Sequence, residues 1–416
     1  MIRALVIDWG NVLMRTMDIR PRLAWEQRLG LAPGDLADLF FRGEGWEAAQ
    51  RGQATLEEVW KGVARRLGLQ DGDLADLQRD FWAGDHLDQD LVGLIRDLRE
   101  RGLRTALLSN HASNLPDLLR DLGLEGLFDV VVVSALEGVV KPDLAIYRRA
   151  LDRLGVAPGE AVFVDDQRAN VKAAQHLGMM GLRFRGSRHL RRQLAAVGLP
   201  VTVPPLTPVP DIRAVIFDWG GVFSPLTFFR RTEEWERRLG LSEGTLERVL
   251  WGREWKQLET GRLSQETFDE HVARGLGLPD REAVRRFYAE YYAEQQIEPR
   301  LVEAVRALRG RYRVALLTNA YPDHAEEVKE RYGFDPRTEF DLYVNSAEVG
   351  VAKPDPAIYR YVLDRLGIQP GEAVFLDDLV RNTDPARLMG IHTVVFTDVE
   401  TALADLSALL GHPLTR

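Results

Sequence analysis

ALVIDWGNV, residues 4–12, and AVIFDWGGV, residues 214–222, are one motif written twice in a chain of 416 residues. In each copy a short apolar run ends on a single aspartate, Asp8 or Asp218, and Trp-Gly follows. A run this short, bounded by glycine, reads as a parallel strand buried on both faces. A carboxylate at the C-terminal end of such a strand stands where open α/β sheets bind their ligands.

Three further blocks repeat in the same order. ALLSN ending at Asn110 pairs with ALLTN ending at Asn319 at an offset of 209 residues. VVKPD at 139–143 pairs with VAKPD at 351–355, and AVFVDD at 161–166 with AVFLDD at 373–378, both at an offset of 212. The first aspartates differ by 210. Offsets this steady mean a duplicated domain, and a period this long rules out a solenoid repeat. The spacing predicts one domain over 1–198 and a second over 212–416. Between them lies LPVTVPPLTPVPD, residues 199–211, whose five prolines read as an extended, semi-rigid linker.

Within each copy the strand with the first aspartate is followed by a charged, Trp-rich segment of helical spacing, about 16–88 and about 226–298. Strands then alternate with helices: TALLSN, a helix around 115–122, FDVVVVS, a helix around 145–154, AVFVDD, a helix around 170–177, then GLRF. That order predicts an α/β fold: two tandem doubly wound, Rossmann-like parallel sheets with helices on both faces. An insertion directly after the first strand hangs over that strand's C-terminal end, where a helical cap acts as a lid.

Composition sets the outer limits. The formal net charge is −9, no basic block stands out, and the arginines are interspersed with acids, which argues against a nucleic-acid partner. There is no cysteine, so disulfides, thiolate metal sites and cysteine nucleophiles are excluded. Absence of cysteine suits a reducing, cytoplasmic setting. No apolar run approaches the roughly 20 residues of a membrane span, and Met1 leads straight into the first strand, so neither a membrane partner nor a leader is expected.

Four polar groups per copy fall at or just after strand ends: Asp8, Ser109 with Asn110, Lys141, and Asp165–Asp166; then Asp218, Thr318 with Asn319, Lys353, and Asp377–Asp378. Each alone has an ordinary reading as a helix cap, a turn or a solvated charge. Occurring together, in one order, twice, they point to a site. Only six of the 54 basic residues are lysine, yet both KP positions carry it, which implies a point charge on a flexible stem. The chemistry these groups suit is phosphoryl transfer. A carboxylate attacks phosphorus to give an aspartyl phosphate. A second acidic cluster beside it demands a cation, and oxygen-only ligands suit Mg²⁺. Ser109 or Thr318, with nearby backbone N–H groups, would hold the transferring oxygens, and Lys141 or Lys353 would screen nucleophile from phosphate.

The four blocks resemble the haloacid dehalogenase-like (HAD) hydrolase superfamily, once per half and over essentially the whole chain. The resemblance implies Asp8 and Asp218 as nucleophiles, Ser109 and Thr318 as phosphate-binding hydroxyls, and Lys141 and Lys353 as charge-neutralising lysines. It implies Asp166 and Asp378 as direct Mg²⁺ ligands with Asp165 and Asp377 beside them, backbone ligands at Gly10 and Gly220, and Asn170 and Asn382 at the family's Asn position. One departure stands out. Family phosphatases mostly carry a second Asp two residues after the nucleophile, to protonate the leaving group; here Gly10 and Gly220 stand there. A subgroup similar to α-D-glucose-1-phosphate phosphatase carries Asp-x-Gly-Asn, like DWGN of the first copy. A sugar 1-phosphate, whose leaving group needs little protonation, is therefore one candidate among small phosphorylated substrates; His111 is a conceivable substitute acid in the first copy. Two other functions compete: a metal-independent haloacid dehalogenase, against which the adjacent acidic pairs argue, and a non-catalytic or half-active binding module. The cap aromatics Trp25, Trp46, Trp235, Trp255 and the 287–292 stretch are read either as pocket lining or as cap core. The two domains are further expected to form an internal pseudo-dimer.

Overall fold

The structure is a computed structural model that describes residues 1–224 and 228–414. The chain divides into two compact units, Met1–Pro205 and Leu206–Arg416. The start expected for the second cap, residue 226, lies outside the described residues.

The first unit contains β1 Ala4–Ile7, β2 Met14–Thr16, β3 Asp85–Leu87, β4 Arg104–Ser109, β5 Val130–Val133, β6 Ala161–Asp165 and β7 Met180–Arg183. Five of these form one parallel sheet in the order β5-β4-β1-β6-β7. The second unit repeats it with β8 Ala214–Phe217, β9 Arg313–Thr318, β10 Leu342–Asn345, β11 Ala373–Asp377 and β12 His392–Val395, ordered β10-β9-β8-β11-β12. The chain winds outward from the central strand in one direction, then returns to wind in the other. The switch point lies between β1 and β6, and between β8 and β11, where such sheets open a crevice.

Alternation along the central strand explains the layers. Leu5 and Ile7 pack with Leu91, Leu94, Ile95 and Leu190 on one face. Ala4 and Val6 pack with Ile146, Tyr147, Leu151 and Phe163 on the other. Val215 and Phe217 on one face, and Ala214 and Ile216 on the other, do the same in the second unit. All four residues of β1 are buried, so the strand reads as unbroken apolar sequence, as a doubly covered parallel strand must.

The cap of the first unit is five helices, Arg20–Leu29, Asp35–Phe41, Glu44–Gln50, Leu56–Leu67 and Asp71–Trp82. Trp25, Trp46, Trp60, Phe40 and Phe81 form its own core, which also takes in Ala112 from the loop after β4. The second cap has helices Phe228–Leu239, Thr245–Trp251, Arg253–Leu258, Gln265–Leu276 and Arg281–Tyr291, with Trp235, Phe268, Phe287 and Tyr291 at its centre and Trp255 packed against them. Most of the cap aromatics therefore pack the cap itself. Trp46 and Trp255 do both: their rings also meet His111 at 5.5 Å and Tyr321 at 6.3 Å, on the loops that follow β4 and β9.

A neck joins the first cap to its sheet. β2 pairs antiparallel with β3, and Asp88 N–H donates to the Leu13 carbonyl at 2.8 Å. Buried Asp88 then accepts from Arg15 and from Ser187 Oγ, and caps the helix Gln89–Glu100 through Leu91 N–H. Two three-residue strands are too short to carry a period, so this strand pair is invisible in the sequence. In the second unit Glu298 N–H donates to the Phe223 carbonyl at the same place, also at 2.8 Å. The proline-rich segment around 201–209 has no helix or strand. Among the described residues, no helix is long and apolar enough to cross a membrane.

Candidate active site

Asp8 is the first residue beyond β1, and Asp165 is the last residue of the neighbouring β6. The sheet order thus brings two carboxylates from distant sequence to one edge. Lys141, from the loop before helix Leu144–Leu154, sits between them. Its Nζ lies 2.7 Å from Asp8 Oδ1 and 2.6 Å from Asp165 Oδ2, and it donates to the Leu108 carbonyl at 3.0 Å. In the second unit Lys353 Nζ lies 2.6 Å from Asp218 Oδ1 and 2.7 Å from Asp377 Oδ2. Both lysines are buried.

The lysines are held as well as surrounded. Asn110 Nδ2 donates to the Lys141 carbonyl at 2.9 Å, and Lys141 N–H donates back to Asn110 Oδ1 at 2.7 Å. Asn319 and Lys353 make the same reciprocal pair, 2.8 Å each way. Asn110 and Asn319, grouped at sequence level with the phosphate-binding hydroxyls, therefore spend their amides on positioning the lysine loop. Ser109 and Thr318 are buried at the ends of β4 and β9.

The acidic pair divides its work. Asp165 is fully buried and both its oxygens are engaged: Oδ1 accepts from Gln167 N–H and Asn170 Nδ2, and Oδ2 from Lys141 and Asn170. Asp377 accepts likewise from Leu379 N–H, Asn382 and Lys353. Tyr147 and Tyr359, in the helices before β6 and β11, each donate a hydroxyl to the Asn170 or Asn382 carbonyl at 3.0 and 2.7 Å. Asp166 differs. Its Oδ2 accepts from Asn11 Nδ2 at 3.2 Å, while its Oδ1 is buried and has no hydrogen-bond partner.

Asp8, Asp165 and Asp166 offer carboxylate oxygens all within 4.8 Å of one another, as do Asp218, Asp377 and Asp378. Three carboxylates facing one ammonium leave excess negative charge in a dry place. Burial, first, raises Asp8 and Asp218 above the ordinary carboxylate range; Lys141 and Lys353 oppose the shift, and Asp165 and Asp377 add to it. Asp166 is pushed up to about 6 by burial and by Asp165. Burial alone would lower the two lysines, but the carboxylates on either side outweigh it and hold them charged. A hard divalent cation fits this donor set: oxygen ligands only, surplus negative charge, and an orphaned buried oxygen on Asp166.

Gly10 and Gly220 stand at the rim, each bridged to the neck at Met14 or Ser224. A Cβ built on either glycine meets nothing within 4 Å, so the missing carboxylate leaves open space. The next residue is in the left-handed region in both units: Asn11 at φ 57° and Gly221 at φ 78°. His111, the conceivable substitute acid, has Nδ1 3.0 Å from the Ala112 carbonyl and is lowered by burial. Its ring meets Trp46 and the Ala112 carbonyl, and burial disfavours the protonated form that a general acid needs. Asn11 entered the sequence reading only through DWGN, with no contact to Asp166 foreseen, and Tyr147 and Tyr359 were overlooked. The tyrosines are visible in the sequence only as a pair at the offset of 212.

The model of the haloacid dehalogenase-like hydrolase family matches residues 2–178 and 212–390. Mouse acyl-CoA dehydrogenase family member 10 is 35% identical over 213 residues, which are 49% of this chain and 19% of that protein. A phosphoserine phosphatase of Thermus thermophilus is 30% identical over 213 residues, 45% of this chain and 83% of that protein. A sesquiterpene phosphatase of Aspergillus oryzae is 30% identical over 188 residues, 44% of this chain and 91% of that protein. The chain spans 19% to 39% of the length of the first mammalian relatives it matches. Among solved structures, a HAD family enzyme from Bacteroides thetaiotaomicron, in complex with magnesium and inorganic phosphate, is 25% identical, with a TM-score of 0.39, covering 45% of this chain and 94% of that one. With its two parallel-sheet units each matched by the family model, the chain belongs to the haloacid dehalogenase-like hydrolases.

Proposed function

We propose that the chain is an Mg²⁺-dependent phosphatase of small phosphorylated metabolites, acting through an aspartyl phosphate on Asp8 and Asp218. The observation that carries this reading is the triad of carboxylates within 4.8 Å in each unit, with one orphaned oxygen on Asp166. Such a cluster needs a cation. A bound Mg²⁺ would be held by Asp8 and Asp166, with the Gly10 carbonyl, and by Asp218, Asp378 and Gly220 in the second unit; it supplies charge neutralisation to the phosphoryl group. Asp165 and Asp377 are saturated by protein donors, so their part is to fix the lysine beside the nucleophile.

The remaining steps belong to the side chains. Asp8 or Asp218 attacks phosphorus in line with the departing oxygen. Lys141 or Lys353, already at salt-bridge distance, keeps the nucleophile ionised and pairs with the incoming phosphate oxygens. Ser109 or Thr318 donates its hydroxyl to a non-bridging oxygen. Two phosphatases among the relatives, each covered over most of its length, support the reaction class. The sugar phosphate remains one candidate substrate within that class, suggested by DWGN at residues 8–11. The test is a screen of phosphate monoesters with Mg²⁺ and with EDTA, beside 2-chloropropionate. Phosphate release that EDTA abolishes is expected; dehalogenation that survives EDTA, with no phosphate release, would replace this reading.

A further inference from the structure

The two units differ at a cap turn that packs against the loops of the site. Trp46 and Trp255, Gly52 and Gly261, and Asn110 and Asn319 all pair at an offset of 209 residues, so Gln50 pairs with Glu259. Both Gly52 and Gly261 have positive φ and press on the core: an added Cβ would stand 2.3 Å from the Ala135 carbonyl oxygen, or 2.5 Å from that of Ala347. This contact seats the same cap turn on each sheet. In the first unit Gln50 Nε2 donates to the Asn110 carbonyl at 3.2 Å, on the residue that pins Lys141. In the second unit Glu259 ends the cap helix Arg253–Leu258 and is half-buried.

The charges that act on the Glu259 carboxyl come from the core as well as from the cap. They are Arg381, the site lysine Lys353, and Lys256 of its own helix, while Trp255 donates to it. Burial nonetheless outweighs them and pushes Glu259 up to about 7, so a proton is available near neutral pH. Arg381 is also private to the second unit, because Ala169 takes its place in the first. On the same seated turn, an acid and a cation thus accompany the site that contains Gly220, while the other site has an amide and a methyl group.

We propose that Glu259 is the general acid of the second site, protonating the departing oxygen in place of the carboxylate missing at Gly220, and that the first site, with Gln50, has no equivalent. The inference rests on the phosphatase reading. As an Asp218 oxygen bonds to phosphorus, the bond from phosphorus to the ester oxygen breaks, and the Glu259 proton passes to that oxygen, releasing the alcohol. Water then attacks phosphorus, the bond to Asp218 breaks, the proton lost by water returns to Glu259, and inorganic phosphate leaves. The second site therefore turns over alkyl phosphates with poor leaving groups, and the first favours esters whose leaving group is already acidic.

The test uses the full chain with Asp8→Asn, so that only the second site turns over. Rates are compared for p-nitrophenyl phosphate, whose leaving group needs no proton, and glycerol 3-phosphate, whose leaving group does. Glu259→Gln is expected to lower the alkyl-to-aryl ratio of kcat/KM by about 10²-fold. In the complementary chain with Asp218→Asn, Gln50→Glu is expected to raise that ratio. Equal loss on both esters, with the ratio unmoved, overturns the inference, as does an Asp8→Asn chain with no turnover. Both outcomes leave the phosphatase reading standing if the first site still hydrolyses p-nitrophenyl phosphate. If the parent chain hydrolyses no phosphate ester, the reading fails and the inference falls with it. Should Glu259→Gln not fold, the Gln50→Glu arm decides alone.

Discussion

At the scale of single residues, the glycines two positions after Asp8 and Asp218 are the most informative. Gly10 and Gly220 have clear space around a built Cβ, so the fold imposes no need for glycine there. Gly10→Asp is therefore expected to fold normally and to raise alkyl phosphate hydrolysis at the first site by about 10²-fold, read in the Asp218→Asn chain. An unchanged rate would mean that leaving-group protonation does not limit that site. One position later the constraint reverses. Gly221 has φ 78°, and a Cβ there would lie 2.4 Å from the Asp378 carboxylate. Gly221→Ala should cost roughly 1–3 kcal/mol of second-unit stability by urea titration, because neither the backbone nor Asp378 yields freely. Lys141→Met is a harsher change. It leaves Asp8 and Asp165 buried without their cation, and about 3–5 kcal/mol of first-unit stability should be lost.

At the scale of elements, sheet and site were legible for one reason, and the cap aromatics were opaque for another. The apolar runs that end in Asp8, Ser109 and Asp165 are long enough to mark strands, and their order alone fixes which carboxylates meet. The doubly wound order then places Asp8 and Asp165 on neighbouring strands although 157 residues separate them. The division of labour between Asp165 and Asp166 was not legible, since it depends on which carboxylate oxygens Gln167, Asn170 and Asn11 donate to, and no motif states that. Nor was the role of the cap aromatics, though the helical cap itself was: helical spacing with Trp25 and Trp46 reads the same whether the rings line a pocket or pack together, and here Trp25 packs. A pH dependence belongs to this scale too. His324 opens the helix His324–Tyr332, enclosed by Trp219, Tyr321 and Tyr343, and burial lowers it to about 3. The folded unit keeps it neutral, whereas the unfolded chain protonates it below about pH 6.5. Its contribution is thus intact above pH 6.5 and declines by up to about 1.4 kcal/mol per pH unit toward pH 3. Urea midpoints of the second unit should fall over that window, and His324→Gln should flatten the fall.

At the scale of the whole molecule, duplication has kept two acidic sites and let their surroundings diverge. In the aligned copies Asn11 is matched by Gly221, Gln50 by Glu259 and Ala169 by Arg381, while Lys141, Asn110, Asp165 and Asn170 recur as Lys353, Asn319, Asp377 and Asn382. What is retained is the set that pins a lysine between two carboxylates; what varies lies around that set. Two divalent sites per chain are therefore expected. Calorimetry with Mg²⁺ should give two equivalents for the parent, one for Asp166→Asn or Asp378→Asn, and none for the double variant, with thermal stabilisation lost in step. The most direct measurement is Mg²⁺-dependent hydrolysis of p-nitrophenyl phosphate by the parent, Asp8→Asn, Asp218→Asn and the double variant. The account predicts partial loss in each single variant and background rates in the double; a double variant that retains the parent's rate would contradict it.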